Sequence, residues 1–201
     1  SVLLSRMMGF VREAVIANNA GANAETDVYF AAFTIPDFLN HLLAGGALSI
    51  TFIPIFSRYQ SAGDLAGGWR FGSVVLTNMT VFGLPLIGLM EIFAEDLVPL
   101  VAPGFDAARV EQCAHLVRII LPAQYFFYVG GILMAAQYSH ERFLIPALAP
   151  IVYNAGIILG GVALAPWLGM EGFCWGVLFG AFAGNFAIQY FGARRVGMKL
   201  R

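Results

Sequence analysis

The sequence predicts an all-α, polytopic membrane protein. Three observations carry that expectation. Apolar residues make up 59% of the 201 positions, where a soluble domain has about 45–50%. Charged residues make up only 11%, against about 25% in soluble domains, and the mean hydropathy is +0.77. The apolar residues also fall in six runs, each near the roughly 20 residues that span a bilayer as a helix. A soluble bundle would need far more charge to cover its surface, and a β-barrel would need strict alternation that these runs lack.

The first predicted span covers about 1–19 and the second about 28–57. The second is too long for one straight crossing, and Pro36, Gly45, Gly46 and Pro54 predict a kink or break within it. The others cover about 71–93, 114–138 (with Pro122 inside), 143–164 and 172–192. The stretch 94–111 reads as an acidic loop, with Glu95, Asp96, Asp106 and Glu111 against Arg109. Glycines at 156, 160, 172, 176, 180 and 184 predict a close-packed helix seam. Asn78, Thr80, Gln124, Asn154, Asn185 and Gln189 are expected to face the bundle interior and bond a neighbour.

Loop charges set the expected orientation. One side receives Arg58, Arg70, Arg142, Arg194, Arg195, Lys199 and Arg201. The other receives Arg109, and Arg118 if it lies near the surface. The basic side is therefore expected to be cytoplasmic, with both ends of the chain on it, as an even number of spans requires.

Composition excludes several functions. A net charge of -1 does not fit a nucleic-acid binder. Cys113 and Cys174 have no metal or disulfide spacing and read as buried thiols. No phosphate loop, dinucleotide fingerprint or nucleophile elbow occurs, so neither an ATPase nor another enzyme is expected, and no cofactor or metal. Any transport must draw on an ion gradient, a membrane potential or substrate flux.

The informative residues are charges inside the oily spans. In LSRMMGFVREAVIA, Arg6 and Glu13 lie seven residues apart, on nearly the same side of a helix, with Arg12 about a third of a turn away. A charge at the bilayer centre costs at least about 2.5 kcal/mol. Two readings explain the cluster: a polar cavity between helices, or an internal Arg12–Glu13 pair that orients helices. The second span repeats the theme. Asp37 and His41 are i and i+4, with Asn40 beside them. If the helix restarts near Pro36, Asp37 falls in the first turn, where acids are favoured. Broken helices of this kind mark substrate and ion sites. Asp27 reads either as part of that site or as a cap at the helix start. Gly45 and Gly46 read as a hinge or as packing residues.

The run from Leu4 to Tyr59 resembles the start of the MurJ (MviN) family of lipid II flippases, in the multidrug/oligosaccharidyl-lipid/polysaccharide exporter superfamily. The resemblance rests on Leu4-Ser5-Arg6, Gly9-Phe10-Val11-Arg12-Glu13, Thr26-Asp27-Val28-Tyr29-Phe30, Phe33-Thr34-Ile35-Pro36, and Gly46-Ala47-Leu48-Ser49 with Phe52 and Pro54. It extends to Val101–Phe105 and Glu141–Asn154. It implies a MATE-like transporter of two lobes, with residues 1–201 as the N-terminal lobe and a C-terminal lobe as its partner. It further implies a bacterial inner-membrane protein that moves lipid II outward by alternating access during peptidoglycan synthesis. Arg6 and Arg12 match the family's basic cavity residues, which hold the diphosphate, and Asp27 matches its conserved aspartate. Arginine suits that task by its multidentate donors. The family's N-L-L-R-R stretch is Asp37-Phe38-Leu39-Asn40-His41 here, and its A-E-G is Ala44-Gly45-Gly46. His41 thus stands where the family has a functional arginine. These departures leave two other functions beside the first: export of another polyprenyl-linked glycolipid or small molecule, or a non-transporting membrane scaffold.

Overall fold

The structure is a computed structural model that describes residues 2–21, 23–44 and 51–198. It is a helical bundle, with no β-strand among the described residues.

Helix α1 (Val2–Ala20) ends where Gly21, at φ +69°, bonds its N–H to Ala17 O at 2.9 Å. Only glycine takes that conformation without steric cost. Helix α2 (Ala24–Ala32) is capped by Asn23, whose Oδ1 accepts from the amides of Glu25 and Thr26 at 3.0 and 3.1 Å. The cap is thus Asn23, and Asp27 sits within the first turn.

The expected break in the second span is present. Helix α2 stops at Phe33 and α3 (Thr34–Ala44) begins at once, with buried Pro36 and then Asp37 in its first turn. Proline lacks the amide that would continue the ladder. Gly45 and Gly46 lie outside the described residues. The chain resumes before α4 (Ile53–Ser61), which has Pro54 in its first turn, where a proline fits.

Helix α5 (Leu65–Ile92) is capped by Asp64, whose Oδ1 accepts from Gly67 N–H at 2.8 Å. The predicted acidic loop is in part a helix, α6 (Ala94–Val101). Glu95 and Asp96 occupy its first turn, where they favour the helix dipole, so acidity here marks a helix start. Asp106 caps α7 (Ala107–Ile120). The predicted fourth span is α7 followed, after a turn at Leu121–Pro122, by α8 (Ala123–Ser139). Helix α9 (Leu144–Leu168) matches the fifth span. The sixth is α10 (Met170–Ala181), a π turn (Phe182–Ala187) and α11 (Ile188–Arg195), continuous with one another.

Among the described residues, four stretches are long and apolar enough to cross a bilayer: Leu65–Ile92, Ala107–Ser139, Leu144–Leu168 and Met170–Arg195. The first two predicted spans are not among them. Helix α1 carries three charges in 19 residues, and the second span is divided into shorter helices.

The core lies where α7, α8 and α10 meet, with Cys113, Ala114, Val117, Ile120, Phe173, Cys174 and Val177 buried. The glycine seam forms between α9 and α10 as its spacing predicts. A methyl on Gly156 would fall 2.5 Å from Gly180 Cα, and one on Gly160 would fall 2.5 Å from Gly176 Cα. The two backbones therefore touch, and only glycine permits it. Buried Gln189 accepts at Oε1 from Gln137 Nε2 (3.0 Å) and donates to Ile145 O (3.2 Å) and Gly184 O (3.1 Å), which ties α8, α9 and α11 together. Such interhelical bonds are worth about 0.6–2 kcal/mol. Asn78 departs from expectation: it lies on the exposed side of α5. Around it Val74, Val81 and Phe82 also face outward, an apolar exterior of the kind that membrane contact favours.

Candidate functional site

The charges of the first three helices are placed unequally. Arg12 is the best held. Its Nη2 donates to Glu13 Oε1 at 2.6 Å and its Nη1 donates to Asn154 Oδ1, on α9, at 3.2 Å. Asn154 is itself fixed, since its Nδ2 donates to Pro150 O at 2.8 Å. The acceptor lies one helical turn back on the same helix, and its oxygen has a second lone pair for this side-chain bond. The Arg12 side chain remains 29% exposed and that of Glu13 49%. The ion pair of the second reading is present, and the Arg12 side chain stays part-exposed beside it.

Two tyrosines complete the neighbourhood. Tyr29 of α2 is buried, and Tyr153 of α9 precedes Asn154. Both lie within electrostatic range of Arg12, and Tyr153 also lies within range of Asp37. Packing of α1 on α9 brings these groups to one side. Asp37 is exposed on α3, and its backbone carbonyl lies 2.8 Å from His41 Nδ1. That contact fixes the imidazole one turn along the same helix face. Asn40 is half-buried beside it.

Arg6 and Asp27 are exposed, and neither makes an ion pair among the described residues. The structure thus joins Arg12, Glu13 and Asn154, and joins Asp37 with His41. It leaves Arg6 and Asp27 apart. Among the described residues no cluster of His, Cys, Asp or Glu could hold a metal.

A family model described as lipid II flippase MurJ matches residues 16–201. The chain belongs to the MurJ family. Probable lipid II flippases MurJ of Thermotoga maritima and Haemophilus influenzae are 30% identical over 156 residues and 33% identical over 177 residues. These alignments cover 78% and 82% of this chain, and 32% and 34% of the relatives. The lipid II flippase MurJ of Burkholderia cenocepacia is 29% identical over 202 residues, covering 98% of this chain and 39% of the relative. A solved structure titled lipid II flippase MurJ, inward closed conformation, superposes with a TM-score of 0.79 at 26% identity. That match covers all of this chain and 43% of the other. The chain thus spans about a third of the length of these curated relatives. The MurJ fold is all-helical and membrane-embedded, and this chain shares it. Its family is one of transporters rather than enzymes.

The sequence named Asn154 as a polar group that bonds an unspecified neighbour and Tyr29 only as part of a motif, and it singled out neither Tyr153 nor Gln137. The signal for Tyr153 was weak because a tyrosine in an apolar run reads as an interface residue. A second missed cluster joins α7 to α10. His115 Nε2 lies 3.2 Å from Glu171 Oε2, and Trp175 Nε1 donates to Glu171 Oε1 at 3.1 Å. The i, i+4 spacing of Glu171 and Trp175 was its readable part. Arg118 points to the end of the bundle, with Nε donating to Glu91 O at 3.0 Å and Nη1 to Glu95 Oε1 at 3.1 Å.

Proposed function

We propose that this chain forms the N-terminal lobe of a lipid II flippase, and that Arg12 with Arg6 and His41 receives the diphosphate of the undecaprenyl-linked precursor. The observation that carries this reading is the setting of Arg12. Its guanidinium is anchored by Asn154 on one nitrogen and Glu13 on another, and it stays partly open. A positioned, partly desolvated arginine offers its remaining N–H groups to a diphosphate at little reorganisation cost. Glu13 holds the charge in place while no substrate is bound, and the incoming diphosphate competes for the same donors.

The remaining residues have supporting roles in this reading. Asp37 and Asn40 line the same wall as His41, and Asp27 stands at the start of α2. The α2–α3 break at Phe33, three residues before Pro36, supplies a joint about which this wall moves. The chain crosses the inner membrane six times, with α1 and the α2–α4 unit as the first two crossings and both ends cytoplasmic. The C-terminal lobe supplies the opposite wall, and the lobes rock between inward-open and outward-open states, driven by an ion gradient or the membrane potential. Lipid II and the bilayer are the partners.

The test uses the complete protein in proteoliposomes loaded with fluorescent lipid II. Arg12→Ala is expected to lower flipping at least tenfold, and Arg12→Lys to recover only part of it. Asn154→Ala is expected to raise the substrate concentration needed, because it frees the guanidinium. Wild-type flipping by Arg12→Ala would overturn the diphosphate role, and no flipping by the unaltered protein would favour a scaffold. His41→Arg is expected to tighten lipid II binding, since it restores a permanent cation.

A further inference from the structure

We propose that a recess between α8, α9 and α11 binds the headgroup of a zwitterionic phospholipid of the phosphatidylethanolamine type. The recess has a volume of about 460 Å³ and is lined by Gln137, Glu141, Arg142, Phe143, Leu144 and Arg195, among others. It lies on the arginine-rich side, away from Arg12. It does not depend on the flippase reading.

Its chemistry divides in two. One part suits a phosphate. The guanidinium groups of Arg142 and Arg195 make no ion pair or hydrogen bond among the described residues. Beside them begins α9, 25 residues long, whose N-terminus has no side-chain cap. Its first amides and its dipole favour an anion at the same place. The other part suits a cation. The Glu141 carboxylate has no ion-pair partner among the described residues and is held at the lip of the recess by a backbone at φ +56°.

Gln137 supplies the second, independent sign of a ligand. It is 1% exposed, and its Nε2 is spent on Gln189 Oε1 and Leu133 O. Its Oε1 receives no donor among the described residues, and it packs against Gly192 Cα, which also lines the recess. This oxygen is therefore an open acceptor on the wall of the recess, placed to take a bond from a donor that enters it. An ammonium group satisfies both Gln137 Oε1 and Glu141, and a phosphodiester satisfies both arginines. One ligand with the two groups a few bonds apart satisfies all of them. A phosphatidylglycerol headgroup would leave Glu141 unpaired beside a phosphate.

The rim identifies the ligand as a lipid rather than a soluble phosphate ester. Phe143 and Leu144 are 59% and 77% exposed at the start of a helix long and apolar enough to cross a bilayer. Apolar side chains there have no reason to meet water, and arginine at that level attracts lipid phosphate.

Native mass spectrometry of the complete, detergent-solubilised protein tests this with matched phosphatidylethanolamine and phosphatidylglycerol. Soluble phosphoethanolamine and inorganic phosphate serve as competitors. One phosphatidylethanolamine is expected to be retained at least fivefold better than phosphatidylglycerol. Arg142→Gln with Arg195→Gln is expected to lower retention of both lipids about tenfold, while Arg142→Lys with Arg195→Lys keeps most of it. Glu141→Gln is expected to abolish the preference alone, leaving the two lipids equal. Unchanged retention in the glutamine pair, equal lipids in the wild type, or full displacement by millimolar inorganic phosphate would each overturn the proposal. Should the glutamine pair not fold, Glu141→Gln decides the matter, with a retained preference as the refuting result.

Discussion

Tyr128 puts a phenol in the middle of the bundle with nothing to bond. It is buried, and its hydroxyl has no hydrogen-bond partner among the described residues. A buried unpaired hydroxyl costs about 1–3 kcal/mol. Tyr128→Phe is therefore expected to leave the unfolding midpoint in detergent unchanged or higher, as measured by thermal denaturation. Asn154 is the opposite case, because each end of its amide is used: Oδ1 by Arg12, Nδ2 by Pro150 O. At this scale the sequence was partly legible. Charged residues in apolar runs drew attention to Arg12 and Glu13, because burying charge is costly wherever it happens. What could not be read was the partner. Asn154 is 142 positions away, and no local rule connects it to α1. The cap was likewise ambiguous, since both Asn23 and Asp27 are good N-cap residues and only the backbone decides between them.

At the scale of elements, the α9–α10 seam was the most legible feature, because glycines four apart have few other uses in a long apolar helix. Gly176→Leu is expected to force these helices apart, and to cost at least about 1–3 kcal/mol as overpacking does; folded yield and unfolding midpoint should both fall. The Gln137–Gln189 pair gives a sharper test. Gln137→Leu alone strands Gln189, whereas the double change to leucine removes both polar groups. A double-mutant cycle is expected to show the pair of substitutions costing less than the sum of the two. Helix α6 was not legible, because Glu95 and Asp96 next to Pro99 look like a loop until the first-turn preference for acids is weighed. The break at Leu121–Pro122 was foreseen only as a proline inside a span. The span was read as starting at 114, since Glu111 and the acids before it masked the seven helical residues that precede it.

For the whole molecule, the membrane class was readable from composition alone, and the helical bundle followed from it. The division into crossings was less readable, because α1 and the α2–α4 unit trade apolar length for charge and breaks. Orientation is open to direct measurement. Cys113 and Cys174 are both buried, so an impermeant maleimide should find a silent background. In intact cells Gly104→Cys is expected to label and Ser61→Cys is not; after the inner membrane is opened, both should label. Labelling of Ser61→Cys from outside would reverse the six-crossing arrangement.

The π turn at Phe182–Ala187 has a consequence for evolution along this chain. A π turn holds one residue more than the α-helix it interrupts, and its wider turn absorbs that residue, so if Phe182–Ala187 closed into plain α-helix with every residue kept, the surplus would pass to the segment beyond it. Everything downstream would then swing by about 100°. Gln189 would leave its amide partner on α8, and Arg195 would turn from the lipid-headgroup recess toward open bilayer. The wide turn therefore sets the facing of the last two turns, and loss of a single residue should be tolerated better between 182 and 187 than within the helical segments on either side.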